Sequence, residues 1–137
     1  MDICIGSAAT EHVGIVVHAA DDPDGWLDCE VEVVAGGFHG RFHAFLRTAD
    51  FPPFRRQLLR LYKKLEGVAS FTTLEEQLAL RLTGDGKGHI AVEGTAIDFC
   101  GTGNRLQFEF AIDQTYLPRV ISELDRVEHD FSTKRGP

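Results

Sequence analysis

Trp26-Leu27-Asp28-Cys29-Glu30-Val31-Glu32-Val33-Val34-Ala35, then Gly36-Gly37, then Phe38-His39-Gly40-Arg41-Phe42-His43-Ala44-Phe45-Leu46-Arg47, is the stretch whose reading decides the fold. Leu27, Cys29, Val31 and Val33 alternate with Asp28, Glu30 and Glu32. In an extended chain, successive side chains point to opposite faces, so this pattern predicts a strand with one packed and one wet face. Gly36-Gly37 is a turn signal. After it the alternation resumes, with Phe38, Gly40, Phe42, Ala44 and Leu46 expected inward and His39, Arg41, His43, Phe45 and Arg47 outward. The two strands read as a hairpin with acids on one exposed strand and bases on its neighbour. Opposite charges facing across strands contribute about 0.2–1 kcal/mol per pair.

On the N-terminal side, Ile3–Ile5 and Val13–His18 read as two further strands. On the C-terminal side the period changes. Phe54, Leu58, Leu61 and Leu65 recur at helical spacing, with Arg55, Arg56, Arg60, Lys63 and Lys64 on the remaining surface. Asp50 is expected to cap this helix, Pro52 and Pro53 fit its first turn, and Gly67 is expected to end it. Strands then return at Val68–Thr72 and Gln77–Thr83. Gly84-Asp85-Gly86-Lys87-Gly88 reads as a tight turn into a strand over His89–Ile97. A second turn at Cys100–Asn104 leads to Arg105–Ile112, where Leu106, Phe108, Phe110 and Ile112 alternate with polar or small residues. Leu117, Val120, Ile121, Leu124 and Val127 stripe a final helix that starts near Thr115, with Asp113 or Thr115 as its cap. The expectation is an α+β fold: a curved, mostly antiparallel sheet of about seven or eight strands, packed by one helix inserted midway and one at the C-terminus. A single domain over residues 1–137 is expected, with 131–137 as a frayed tail.

The chain has 137 residues, 43% of them hydrophobic and 26% charged, so it can build its own core. No apolar run approaches the roughly 18 residues that cross a bilayer, and the N-terminus lacks the basic start and apolar stretch of a signal peptide. A cytoplasmic protein is expected. Cys4, Cys29 and Cys100 are odd in number and lack CxxC spacing, so they read as buried free thiols rather than a disulfide framework or zinc site. The net charge is −7 and is uneven: residues 1–49 hold eight acids against two bases, a net of −6. An acidic first third disfavours nucleic acid and anionic membrane and suits a basic partner.

Each apparent motif reduces to a structural role. A phosphate loop needs Gly-x4-Gly-Lys-Ser/Thr between a strand and a helix, and Gly84–Gly88 has neither that spacing nor that setting. Asp21-Asp22-Pro23-Asp24-Gly25 resembles the start of a calcium loop, but counting from Asp22 the central glycine position is Leu27 and the twelfth residue is Val33, so an exposed acidic turn is expected. His39 and His43 lie on one face of a strand about 13 Å apart, too far to share a metal. His89 with Asp85 offers a histidine–carboxylate pair, but no nucleophile has a defined relation to it, although Ser70 and Cys100 remain open. A hydrogen bond within the turn is the favoured role. No catalytic, cofactor-binding or metal-binding residue is assigned.

Three blocks carry a resemblance: Gly36-Gly37-Phe38-x-Gly40; Gly84-Asp85-Gly86-Lys87-Gly88-His89-Ile90-x-Val92-x-Gly94; and Gly103-Asn104-x-Leu106-x-Phe108 leading to Asp113-Gln114-Thr115-Tyr116-Leu117. In this order and spacing the chain resembles the WapI family of bacterial immunity proteins from about Trp26 to Leu124. Those proteins accompany large secreted or contact-dependent toxins and neutralise the toxin's C-terminal domain inside the cell. The resemblance implies a cytosolic, non-enzymatic binding protein whose partner is a cognate toxin domain, and it carries over no binding residues. On the residues themselves, Trp26, Asp28, Glu30 and Glu32 are the candidate partner-binding row: the acids to steer association, the tryptophan to anchor it. The alternative is a small-molecule-binding half-barrel or small hydrolase that uses His89 and nearby acids. Monomer and edge-strand homodimer both remain open.

Overall fold

Residues 26–47 form the expected hairpin with the expected boundaries: β3 is Trp26–Ala35 and β4 is Phe38–Arg47, paired antiparallel from Trp26↔Arg47 to Ala35↔Phe38. They complete a sheet begun by β1 (Ile3–Gly6) and β2 (His12–Ala20), in the order β1-β2-β3-β4. The computed structural model describes residues 1–20 and 25–132. The acidic turn at 21–24 lies outside the described residues, as does the tail at 133–137. The pairing of β2 with β3 shifts register between Val17 and Ala19, which leaves His18 as the extra residue of a bulge.

α1 (Phe51–Lys64) follows β4 through a short 3-10 turn at Thr48–Asp50. Its 14 residues span about 21 Å. This excursion divides the strands into two sheets where the sequence suggested one curved sheet, because a helix of that length cannot close a hairpin between its flanking strands. The second sheet has the order β5-β6-β7-β8, with β5 at Glu66–Phe71, β6 at Leu78–Asp85, β7 at His89–Ile97 and β8 at Arg105–Asp113. All eight strands pair antiparallel, and the class is α+β, with one mid-chain helix and one C-terminal helix.

Helix ends follow local chemistry. Asp50 occupies the N-cap of α1, but its carboxylate turns back to accept the Arg47 N–H at 2.9 Å. The C-terminus differs from expectation. Leu65, not Gly67, stops the helix in a left-handed conformation (φ 61°), and its carbonyl accepts the Gly86 N–H at 2.8 Å. The tertiary bond holds a conformation that the leucine itself disfavours. α2 (Leu117–Ser132) begins after a 3-10 turn whose cap is Asp113, accepting the Thr115 N–H at 2.8 Å. It thus includes residues 131 and 132, expected to fray. Among the described residues, no helix is long and apolar enough to cross a membrane.

One hydrophobic cluster joins the elements. The inward residues of the first sheet (Ile3, Ile5, Val13, Ile15, Leu27, Val31) and of the second (Leu78, Leu82, Ile90, Val92) are buried with Phe54 and Leu58 of α1 and Val120 and Leu124 of α2. α1 packs on β5 and α2, and α2 packs on β1. Gly94 is small for a steric reason: a Cβ there would overlap the ring of Phe108, which lies directly across the sheet. Phe38 departs from the inward reading and is 68% exposed, because the hairpin tip extends past the core.

Candidate protein-binding face

The strand register determines the outer face of the first sheet. Directly paired residues share a face, so Trp26, Asp28, Glu30 and Glu32 of β3 stand beside Arg47, Phe45, His43 and Arg41 of β4. The structure brings the four candidate residues together in one half-buried row. The row is not a bare acidic stripe. Asp28 pairs with His43, Glu30 lies 3.9 Å from Arg41, and the Arg47 guanidinium sits 5.8 Å from the centre of the Trp26 ring. The expected cross-strand pairing is present, and the guanidinium groups of Arg41 and Arg47 offset part of the row's charge.

Glu32 is the centre of this network. Its carboxylate accepts from Arg41 Nη2 at 2.8 Å, His12 Nε2 at 2.8 Å and His39 Nε2 at 3.1 Å, and its side chain is 17% exposed. These bonds, Arg41 first, lower its pKa from 4.5 to about 2. His12 had no sequence signal beyond its place at the start of a strand. It is buried, and its Nδ1 lies 3.1 Å and 3.2 Å from the carbonyls of Ser7 and Thr10. Only the pairing His12↔Val34, which places it on the same face as Glu32 one step along β3, makes this contact visible.

The histidine–carboxylate pair at the β6–β7 turn is a turn lock. Asp85 accepts from the N–H groups of Lys87 (2.7 Å) and His89 (3.1 Å) and pairs with His89 Nδ1 at 2.8 Å. These bonds, that of Lys87 first, lower its pKa to about 2. His89 opens β7, whereas Cys100 lies beyond the far end of that nine-residue strand, roughly 27 Å or more along the chain. Cys100 is exposed rather than buried, unlike Cys4 and Cys29. Its thiol donates to Glu75 Oε2 at 2.9 Å, and that carboxylate raises its pKa, which disfavours the thiolate. Ser70 stands on β5 opposite Arg81, not near His89. His39 and His43 are each taken by a separate carboxylate.

An open groove separates the tip of the first sheet from β8. One part, about 240 Å³, is lined by Val33, Phe38, Phe42, Ala96 and Leu106; a second, about 360 Å³, shares Phe38 and Leu106 and adds Ala35 and Phe108, with Glu11 and Glu109 at its rim. His89 lines neither part.

A protein-family model described as the immunity protein WapI-like family matches residues 4–132. The chain belongs to this family. The match takes in all eight strands and both helices apart from one residue at the start of β1, Ile3. No match is found among curated proteins. Among solved structures, this immunity-family chain is similar to one titled as a CdiA-CT/CdiI toxin and immunity complex from Enterobacter cloacae (10% identity, 82% of this chain and 98% of that chain, TM-score 0.48). It is also similar to a structure of MRP1/MRP2 from a trypanosome (9% identity, 88% and 85% covered, TM-score 0.46).

Proposed function

We propose that this chain is a cytosolic immunity protein that binds the toxic C-terminal domain of a cognate bacterial toxin and neutralises it by tight association, without catalysis. Membership of the immunity family across residues 4–132 carries this reading. The separation of His89 from Ser70 and Cys100 favours it over hydrolysis. The recognition surface is the outer face of the first sheet, with Trp26, Asp28, Glu30 and Glu32 on β3 and their basic neighbours on β4. Incoming basic groups exchange with His43 and Arg41 for the partly exposed Asp28 and Glu30, while Glu32 holds the face in shape.

The test is co-expression of the C-terminal domain of the large toxin that this chain accompanies, with and without this protein. Restored growth together with a purified complex supports the reading; unrestored growth with no complex sinks it. For the surface, Asp28→Lys with Glu30→Lys is expected to slow association and flatten its salt dependence, since rim charges act on encounter more than on dissociation. Unchanged association kinetics would remove this face from the proposal.

A further inference from the structure

The two sheets present four edge strands, and an edge strand carries a row of unpaired N–H and C=O groups that invites another strand. Three of these edges have part of their row met by the chain's own side chains. On β1, the Cys4 N–H donates to Glu123 Oε1 at 2.9 Å and the Gly6 carbonyl accepts from Arg119 Nη2 at 2.6 Å, both from α2. On β5, the Ser70 N–H donates to Gln57 Oε1 of α1 at 2.8 Å. On β4, the His43 carbonyl accepts from Gln77 Nε2 at 3.2 Å and the Arg47 N–H donates to Asp50.

β8 is different. The bonds Asp98 N–H to Asn104 C=O (3.1 Å) and Gln114 N–H to Gly88 C=O (2.9 Å) bracket its ladder with β7. In an antiparallel ladder bonded residues alternate, so the even-numbered residues of β8 bond to β7, while the backbone of Arg105, Gln107, Glu109 and Ala111 points away. Among the described residues, no backbone or side-chain hydrogen bond closes that edge. The groove opens beside it, walled by Phe38, Leu106 and Phe108.

Charge specifies the occupant. Glu93 and Glu109 face each other directly across β7 and β8, an unfavourable like-charge pair. Arg81 of β6 stands opposite Glu93 on its other side, but neither glutamate makes an ion pair among the described residues, and Glu109, on the edge strand, has no basic residue paired across from it. Glu11 adds a third carboxylate at the rim of the same groove.

We propose that the free edge of β8 receives an extended segment of the partner protein as a ninth strand. An apolar side chain of that segment enters the groove against Phe38, Leu106 and Phe108, and a lysine or arginine meets Glu93 and Glu109. Main-chain bonds supply affinity and the alternate side chains supply selectivity. This proposal rests on the immunity reading and adds, beside the face of the first sheet, an edge of the second that holds another part of the toxin domain.

Gln107→Pro is the decisive variant. Proline removes an N–H that points away from β7, and edge strands tolerate it for that reason. Gln107→Ala is its control, and Phe38→Ser and Glu109→Lys are independent probes at exposed positions. Binding of each variant to the purified C-terminal toxin domain is measured by titration calorimetry, with thermal unfolding as the check on folding. Gln107→Pro is expected to raise Kd by about tenfold, as the loss of one main-chain bond and its neighbours would, while Gln107→Ala leaves it unchanged. Phe38→Ser and Glu109→Lys weaken binding by a similar factor. If Gln107→Pro does not fold, those two decide: weakened binding supports the edge, and wild-type Kd in both overturns it. Wild-type Kd in all folded variants overturns this proposal alone, leaving the immunity reading intact. A wild-type chain that binds no toxin domain overturns both. A free dimer in light scattering that Gln107→Pro dissociates also overturns it, since a second copy would then be the occupant.

Discussion

Glu32 joins three bases on two strands, one of them the buried His12. Replacing its carboxylate with an amide leaves those donors poorly met, and Glu32→Gln is expected to cost about 2 kcal/mol in denaturant unfolding. The same carboxyl gives an acid-side signature. Its folded pKa is about 2, below its ordinary 4.5, so below pH 4.5 the unfolded chain takes up the proton first. Its contribution is therefore complete above that ordinary value and is lost as pH falls toward 2. Glu32→Gln should lack this part of the acid slope; an unchanged slope would show that the network does not set it. At Gly94 the constraint is space. Gly94→Ala drives a methyl into the Phe108 ring, with an expected loss of about 1–3 kcal/mol. Adding Phe108→Leu should recover part of it in a double-mutant cycle, and strict additivity would mean the two residues do not interact. Both effects were hidden in the sequence. Glu32 was visible as one acid of an alternating row, but its bond to a histidine twenty positions away depends on register.

At the scale of elements, the alternation of residues 26–47 and 89–97 was enough to place β3, β4 and β7 to the residue, because period-two patterning and glycine turns are local properties. The end of α1 was not legible. Gly67 was the local stop signal, yet Leu65 takes the left-handed position because its carbonyl meets Gly86 on the β6–β7 turn. The division into two sheets was equally hidden, since hairpin signals say which neighbours pair and not where the pairing is interrupted. α1 is held by its apolar stripe: Leu58 is fully buried, and the helix packs on β5 and α2. Leu58→Ala is expected to destabilise by about 2–5 kcal/mol, and a loss under 1 kcal/mol would contradict the tight packing of this helix.

For the whole molecule, the relevant quantity is where charge is left uncompensated. The chain carries −7 overall; on the first sheet the acids are bonded to Arg41 and to histidines, whereas on the second Glu109 stands at the β8 edge facing Glu93, with Arg81 beyond it on β6 and no ion pair to either glutamate among the described residues. With a basic toxin domain, association should slow by about an order of magnitude between low and high salt, because steering between opposite net charges is screened. Stopped-flow measurements across that range check it, and a salt-independent rate would remove electrostatics from recognition.

The sequence by itself determined the class of fold, the strand faces, the turns and the two helical stripes, and through three ordered blocks it pointed to the family. Those are consequences of short-range periodicity and local turn chemistry, which any stretch of chain carries with it. Only the tertiary structure decided that the candidate acidic row is bonded to its basic neighbours, that His12 supports Glu32, and that three sheet edges are partly met by the chain's own side chains while that of β8 is not. Each of these depends on which distant segments share a face or an edge, and that is set by packing both sheets and both helices around one core.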